Sequence, residues 1–525
     1  MSSTLLPVGL GIAAVLVASR ALASRTGLPY PVFLLVAGSI VGFIPGVPVI
    51  HLQPDVVFLG FLPPLVYHAG VVTSPRELRA NALPIGLSAL GLVLITTFTV
   101  AGVVWGAEPQ LGFVAAFVLG AIIAPTDPVA ATSVLNRLGG PPHITVVLEG
   151  ESLVNDGIAL SLFSLGLAAV ATPTGAVGGI VTFAKIAGGG ALFGLVVGWV
   201  AARVRRPLRD AASQIVVSLL VPYLAYLPAN ALGLSGVLAT LVAGLVLGQR
   251  PVATLGPSGR IRAAEFWEVL VFLLESVLFV LVGLQLHQIV HGIAAISGAE
   301  TAVVTAAAIG TAVAVRLLWW LAVPTLRWRP EGRLVDTGGI PWQERIVLGW
   351  GGLRGALSLA AALSIPVMAA GRPFPGRDLL QFATFCVIAF TLVGQGGTLP
   401  WLLRRLGLVG SDVQQAEHAL AERRCTEAAL RRLDQLVADD AVADEDADAL
   451  RQIYERRLTR LRGHGEAEQP RRAQLPLRQV QARLLTVQHQ VLEELHRRGE
   501  ISYSVMRQVR YELDLEQAGL AEHDH

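Results

Sequence analysis

Apolar residues run in long stretches over the first four hundred positions of the chain, and short polar segments separate them. A helix needs about 20 predominantly apolar residues to cross the ~30 Å hydrocarbon core of a bilayer. The pattern predicts thirteen membrane-spanning helices, which we number in chain order as spans 1 to 13. Their windows are 4–24, 29–47, 53–74, 82–105, 110–136, 143–171, 177–203, 211–229, 234–249, 264–288, 302–325, 342–369 and 379–403.

Charge divides the chain into two parts. Residues 1–408 hold the apolar windows, whereas residues 409–525 are dense in Arg, Glu and Asp and show a helical pattern up to a final region at 474–520. With 53% hydrophobic and 15% charged residues, the chain is too apolar for a soluble globular protein of its length. The net charge of +2 gives no support to nucleic-acid binding. We therefore predict a transmembrane domain with a cytoplasmic helical tail.

The short loops between the windows differ in their arginine content. Under the positive-inside rule, loops rich in Lys and Arg stay in the cytoplasm. Alternate loops hold Arg25, Arg76, Arg79, Arg137, Arg203, Arg205, Arg206, Arg209, Arg250, Arg260, Arg262, Arg327, Arg329, Arg333 and Arg345, whereas the other loops hold Arg372 and Arg377. This asymmetry predicts an external N-terminus and a cytoplasmic C-terminal tail.

The segment "GAIIAPTDPVAATSVL" places a carboxylate between two prolines inside span 5. Proline lacks the N–H that continues a helix, so Pro125 and Pro128 should unwind the chain around Thr126 and Asp127. Broken backbone in a bilayer survives where it lines a cavity or is buried in protein. Its freed carbonyls and helix ends can bind an ion, and Asp127 can also cap the second half-helix.

The next span carries a cluster of polar residues in "LEGESLVNDGIALSLF", among them Glu149 and Glu151. Spacing of four places Ser152 and Asp156 on one helix face, and Glu151 and Asn155 on the neighbouring face. An intramembrane carboxylate costs about 2.5 to 3.5 kcal/mol to insert, so it is presumed functional and should have a partner.

The two central carboxylates of this span have different requirements. For Glu151 we expect a fixed cation. The candidates are Arg354 in "GWGGLRGALSLAAALSIP" and Arg316 in "AVAVRLLWW", and we favour Arg354 because the surrounding glycines allow close approach. Asp156 has no obvious permanent counter-ion, so it is suited to exchange a proton for a small cation.

The oxygens of Asp156, Ser152 and Thr126, together with freed backbone carbonyls, would suit a hard cation such as Na+. We therefore expect these groups, with Asp127 beside them, to form an ion-binding shell.

Four motifs carry a resemblance to a known family. The segments "LGAIIAPTDPVAATSVL", "LEGESLVNDGIALSLF", "FWEVLVFLLESVLFVLVGLQL" and "GWGGLRGALSLAAALSIP" resemble, in order, motifs of the monovalent cation:proton antiporter-1 family, the Na+/H+ exchangers, and most closely their bacterial branch. The resemblance implies an all-α fold of thirteen helices in two inverted six-helix repeats, with a dimerisation half and a moving core half. Broken helices, here spans 5 and 12, would cross at the site.

The resemblance also implies roles for individual residues. Asp156 would bind the cation and the proton, with Asn155 as its neighbour. Thr126, Asp127 and Ser152 would support the site, and Glu151 would pair with Arg354. In the family, an Asn-Asp pair such as Asn155-Asp156 goes with electroneutral one-for-one exchange.

Two residues leave alternatives open. His68 stands in "FLPPLVYHAGVVTS" where many family members have an acid, and it is either a buried polar residue or a pH sensor, because imidazole titrates near neutral pH. Glu275 in span 10 belongs either to a structural ion pair or to the surroundings of the site.

We therefore predict a homodimeric secondary antiporter in a bacterial plasma membrane. It would exchange cytoplasmic Na+, or K+, for external H+. A K+-selective antiporter, a cation channel and a non-transporting scaffold are the alternatives. No nucleotide, metal or nucleophile motif argues for an enzyme or a cofactor.

Overall fold

The computed structural model describes residues 2–26, 28–44, 56–73, 82–171, 175–208, 210–249, 257–294, 296–322, 327–328, 334–335, 340–369 and 371–410, with isolated residues between 430 and 459. The chain divides into two compact units, Met1–Gln414 and Gln415–His525.

The described part of the first unit is almost entirely helical. Its α-helices are α1 (Ser2–Thr26), α2 (Tyr30–Gly42), α3 (Leu62–Val72), α4 (Ala82–Gly86), α5 (Val93–Ala107), α6 (Gly112–Ile123), α7 (Val129–Leu138), α8 (Pro142–Ala171), α9 (Ala176–Arg205), α10 (Ala211–Ala231), α11 (Gly236–Gly248), α12 (Pro257–Leu284), α13 (Leu286–Gly292), α14 (Gly298–Ala322), α15 (Trp342–Trp350), α16 (Ala356–Leu363), α17 (Arg377–Ala389) and α18 (Gly396–Arg405).

Shorter elements complete the first unit. Three π-helical turns, Val56–Phe61, Leu87–Leu92 and Phe390–Gln395, continue directly into neighbouring helices, and Pro109–Leu111 forms a 3-10 turn. The strands β1 (Arg327–Trp328) and β2 (Leu334–Val335) form one antiparallel hairpin, and β3 (Met368–Ala369) and β4 (Arg372–Pro373) form another.

The helices agree with a polytopic membrane protein. Within the described ranges, seven helical stretches are long and apolar enough to cross a bilayer, and shorter apolar helices lie between them. The exact number of thirteen spans stays a prediction. Helix breaks fall in spans 5 and 12, as predicted, between α6 and α7 and between α15 and α16. Span 12 is shorter than predicted, because Pro366 follows the end of α16 and the chain continues into the β3–β4 hairpin.

The helices of the first unit pack as two bundles. In the first bundle, α2 packs along α12, α3 along α11, and α9 and α10 against α11. In the second bundle, α5 packs along α6 and α14, α6 against α8, and α17 against α14 and α16. Both broken spans therefore belong to the second bundle.

Glycines allow close helix crossing inside the first bundle. A Cβ atom on Gly38 of α2 would lie 3.1 Å from the Val280 carbonyl carbon of α12, and one on Gly283 of α12 would lie 2.7 Å from the Ser39 backbone nitrogen. Small residues at helix contacts let backbones approach where lipid provides no hydrophobic driving force between helices. The contact between α2 and α12 therefore depends on both glycines.

We expect Gly283→Val to lower the free energy of unfolding by about 1 to 3 kcal/mol, the usual cost of overpacking. Gly310→Val is the control, because a Cβ at Gly310 of α14 meets no heavy atom within 4 Å, and it should stay within about 0.5 kcal/mol. Thermal unfolding in detergent measures both. Equal losses in the two variants would contradict the close crossing.

Few residues of the second unit are described. Those between 430 and 459 are helical, and Arg451 forms ion pairs with Asp434 at 2.8 Å and Asp448 at 2.9 Å. These pairs are solvent-exposed and contribute little to stability. The predicted helical region 474–520 lies outside the described residues.

Candidate functional site

The two helix breaks of the second bundle meet each other. The chain between Ile123 and Val129 is not helical, and neither is the chain between Trp350 and Ala356. The Asp127 N–H donates a hydrogen bond of 2.8 Å to the Leu353 carbonyl, which joins the two breaks through their backbones. Each break leaves backbone groups without their helical hydrogen-bond partners, and the other break replaces some of these partners. The interior of a membrane protein requires such replacement, because no water is available there.

A cavity of about 290 Å³ lies beside this crossing. The second bundle contributes Thr126, Asp127, Ser152 and Asp156, and the first bundle contributes residues of α3 and α12. Among the described residues that line the cavity, there is no Lys or Arg. The cavity therefore offers oxygen atoms and negative charge, which suits a small cation better than an anion.

Asp156 lies half-buried in the wall of this cavity. Within the described part of the chain, its carboxylate forms no hydrogen bond or ion pair. An intramembrane carboxylate normally has a partner. Asp156 is thus available to a proton or a cation from the cavity.

Thr126 connects the first break to α8. The Ser152 hydroxyl donates to the Thr126 carbonyl at 2.6 Å, and Asn155 Nδ2 donates to Thr126 Oγ1 at 2.9 Å. Thr126 Oγ1 in turn donates to Glu151 Oε1 at 3.4 Å. The structure thus brings together four predicted site residues through Thr126, but Asn155 is buried behind Thr126 and does not line the cavity.

Asp127 caps the second half of its span. Its Oδ1 accepts a hydrogen bond of 3.0 Å from the Val129 N–H at the start of α7, the kind of contact expected of a residue that caps this half-helix. The carboxylate also lines the cavity. Asp127 therefore holds the break in place and adds negative charge beside Asp156.

The partner of Glu151 differs from the prediction. Both carboxylate oxygens of Glu151 accept hydrogen bonds from Arg316 of α14, through Nη1 and Nη2, and the two residues are 1% and 2% exposed. The predicted pair of Glu151 with Arg354 was wrong. Arg354 is 2% exposed, its backbone N–H donates to Thr391 Oγ1, and its Nε and Nη1 have no hydrogen-bond partner within the described residues.

The unwound segment of span 12 explains this difference. Gly352 has no side chain, so the Arg316 side chain can lie against its backbone, and Arg316 Nε donates to the Leu348 carbonyl at 3.1 Å. These contacts direct the guanidinium of Arg316 to Glu151. The sequence showed one arginine in each of two apolar spans, and either could have been the partner of Glu151. It did not show which of the two side chains would fit beside the unwound segment.

His68 and Glu275 lie between two cavities. A second cavity of about 620 Å³ lies within the first bundle, and both residues line it as well as the first cavity. The His68 ring stacks on Trp267 with ring centroids 5.3 Å apart, and Glu275 Oε2 accepts a hydrogen bond of 2.8 Å from Tyr30. Within the described chain, Glu275 thus has a hydrogen-bond partner and no ion pair. Sequence reasoning identified neither Tyr30 nor Trp267, because a single aromatic residue in an apolar span gives no distinguishing signal.

The sequence of this chain matches a family of known proteins. The family model described as "Sodium/hydrogen exchanger, transmembrane" matches residues 11–405 of this chain. The chain belongs to the sodium/hydrogen exchanger family. The resemblance seen in the four motifs is thereby confirmed, and the family is one of transporters rather than enzymes.

Relatives cover almost the whole chain. A Mycobacterium bovis protein described as an uncharacterized Na+/H+ exchanger is 34% identical over 531 residues, which is 97% of this chain and 95% of that protein. The Na+/H+ antiporter ApNhaP of Aphanothece halophytica is 30% identical over 491 residues, 90% of this chain and 89% of that one.

A solved structure shows the same fold. The sodium proton antiporter MjNhaP1 of Methanocaldococcus jannaschii, determined at pH 8, matches with a TM-score of 0.60 at 17% identity over 76% of this chain and 99% of that chain. The predicted class, an all-α polytopic fold with broken crossing helices, is confirmed.

We expect Glu151 and Arg316 to be thermodynamically coupled. Removal of either partner leaves a buried unpaired charge, which costs about 3 to 5 kcal/mol. Glu151→Gln and Arg316→Met should each lower the unfolding temperature sharply, and the double variant should recover part of the loss. A double-mutant cycle with Arg354→Met is the comparison, and we expect weaker coupling there. Simple additivity for Glu151 and Arg316 would contradict the pairing.

Proposed function

We propose that this protein is a secondary active antiporter that exchanges Na+ for H+ across a bacterial plasma membrane. The observation that carries the proposal is the position of Asp156. It is a carboxylate without a partner among the described residues, on the wall of a cavity where two broken helices cross. Such a group can hold either a proton or a cation, and it can release one when it takes up the other.

The oxygen atoms around Asp156 support a role in cation binding. Ser152, Thr126 and Asp127 line the same cavity, and hard cations prefer carboxylate, hydroxyl and carbonyl oxygens. We assign Asn155 a positioning role, because it holds Thr126 from behind and does not face the cavity. No resident cofactor is proposed, since Na+ and H+ are the transported ions.

Na+ is the cation that this proposal favours. The relatives reported above are named Na+/H+ exchangers or antiporters, and none of those names specifies K+ selectivity. A K+-selective antiporter is therefore not favoured.

A channel is also less well supported than an antiporter. A channel needs a continuous polar pore, whereas the polar residues of this chain cluster at one depth beside broken helices. A non-transporting scaffold would have no use for the buried carboxylates of the second bundle.

The orientation in the membrane follows from the arginine distribution. We propose an external N-terminus and a cytoplasmic tail from residue 409, because fifteen of the seventeen loop arginines named above lie on one side. The first cavity reaches Thr73, at the end of α3 next to the loop that holds Arg76 and Arg79. The cavity would then face the cytoplasm.

We also propose a homodimer within the lipid bilayer. The support comes from α9, in which only 11% of the most apolar window is buried. The exposed residues of α9 are mostly large and apolar, including Ile180, Leu192 and Trp199. Either lipid or a second copy of the chain must cover this face.

We expect Asp156→Asn to abolish exchange while the protein still folds and inserts. A neutral amide can neither release a proton nor neutralise a cation. Asp378→Asn is the matched control, because Asp378 lies in the first turn of α17 and does not line the cavity. Dequenching of a pH-sensitive dye in proteoliposomes on addition of Na+, K+ or Li+ measures transport. Retention of more than a small residual rate by purified Asp156→Asn would refute the assignment.

We expect transport to be electroneutral. If Asp156 carries either one H+ or one Na+ in each half-cycle, no net charge crosses the membrane. A membrane potential, worth ~2.3 kcal/mol per charge per 100 mV, would then contribute nothing. Each pH unit would provide ~1.4 kcal/mol, enough for about a tenfold Na+ gradient.

Valinomycin-imposed potentials at fixed pH test the stoichiometry. The rate and the end-point of exchange should not change with the potential. An end-point that follows the potential would indicate a second proton carrier, and Asp127 would be the first candidate because it lines the same cavity.

A further inference from the structure

The unwound segment of span 12 holds two glycines at positions where another helix needs the space. A Cβ atom on Gly352 would overlap the Arg316 side chain, with Arg316 Cζ 2.8 Å away. A Cβ atom on Gly355 would overlap the Asp127 side chain, 2.6 Å from its Cβ and 2.7 Å from its Cγ. Real Cβ atoms do not approach other atoms so closely, so each glycine leaves room for one charged side chain.

The need for glycine at these positions is spatial rather than conformational. Gly355 has φ −113° and ψ −171°, a backbone conformation that any residue adopts. Gly352 is not among the glycines with positive φ. An alanine would therefore suit the local backbone at Gly355, and no positive φ excludes one at Gly352. The neighbouring side chains exclude an alanine at both positions.

The two contacts lie on either side of Leu353 and Arg354 and serve different parts of the site. Arg316, which lies against Gly352, forms the buried pair with Glu151. Asp127, which lies against Gly355, lines the cavity beside Asp156, and its N–H bonds the Leu353 carbonyl. One short segment thus contacts both the pair that anchors α8 and the second carboxylate of the cavity.

We propose that Gly352 and Gly355 are positioning residues of the exchange site, in which Gly352 places Arg316 for its pair with Glu151 and Gly355 places the Asp127 carboxylate in the cavity wall. This inference rests on the proposed antiport for its transport readout. Its structural content can be tested without transport. Replacement of Gly352 should therefore affect stability through the ion pair, whereas replacement of Gly355 should affect transport through Asp127.

Gly352→Ala should act through the ion pair. It should lower the unfolding temperature by at least half as much as Arg316→Met does. In an Arg316→Ala background, the same glycine substitution should cost much less, because the Cδ, Nε and Cζ atoms that the new methyl group would meet are absent and the pair is already lost. Full additivity of the two losses would overturn the role of Gly352.

Gly355→Ala should act through Asp127. We expect the Na+ concentration for half-maximal exchange to rise about tenfold and the pH profile to shift, with a smaller change in the maximal rate. Asp127→Gly removes the whole side chain that the new methyl group would meet, including the Asp127 Cβ at 2.6 Å. The losses in unfolding temperature of the two single variants should therefore add to more than the loss in the double variant. A uniform loss of rate with unchanged half-maximal Na+ and pH profile would overturn the role of Gly355.

Gly397→Ala in α18 is the matched control, because its Cβ would meet only Leu28 Cδ2 at an ordinary 3.8 Å. It should leave the unfolding temperature, the half-maximal Na+ and the pH profile unchanged. If the wild-type protein exchanged no Na+ for H+, the proposed function would fail, whereas the two stability cycles would still decide the glycine roles. A loss in Gly397→Ala as large as in the other two variants would remove the basis for both assignments.

Discussion

The contact between the two helix breaks is the constraint on which the rest of the site depends. In a bilayer, a backbone group that loses its helical partner has no water to replace it. Here Asp127 and Leu353 satisfy one such donor and one such acceptor for each other, and the Ser152 hydroxyl satisfies the Thr126 carbonyl. These hydrogen bonds hold the two broken spans and α8 together. They use backbone N–H and C=O groups that would bond within the helix if the helix were continuous. The cavity forms at this point because the backbone there is open.

A buried ion pair stabilises the same region from the side away from the cavity. Burial makes the Glu151–Arg316 pair costly to form and still more costly to break, since removal of one partner leaves the other as an uncompensated charge. Thr126 donates to Glu151, so the pair is also connected to the first break. Arg354 adds a second buried guanidinium, whose Nε and Nη1 have no hydrogen-bond partner among the residues that the structure describes. The interior of the second bundle thus contains fixed positive charge behind a cavity lined with carboxylates, an arrangement that lowers the cost of negative charge on Asp127 and Asp156.

Sequence reasoning predicted the membrane class, the positions of both breaks and the polar residues of α8, because each has a strong local cause. Prolines flank Asp127, glycines surround Arg354, and polar side chains stand out in apolar spans. It failed where the answer depended on three-dimensional packing. Arg316 and Arg354 are equivalent as isolated arginines, and the contacts of Arg316 with Gly352 and with the Leu348 carbonyl direct it to Glu151. For the same reason the sequence could not place Asn155 behind Thr126, nor place Glu275 beside Tyr30.

The division of the site between the bundles bears on how an ion could be carried. Thr126, Asp127, Ser152 and Asp156 all belong to the second bundle and are connected through the two breaks, whereas α3 and α12 of the first bundle contribute the opposite wall of the cavity. A bound cation would therefore keep its ligands if the second bundle shifted as a unit past that wall. Only the lining by α3 and α12, including His68 and Glu275, would change. Because His68 and Glu275 also line the second cavity, a shift of this kind would alter what separates the two cavities while the oxygens around Asp156 stayed in place. If the protein works as proposed, the ion-binding groups and the access route would thus belong to different parts of the fold, which is the separation that alternating access requires.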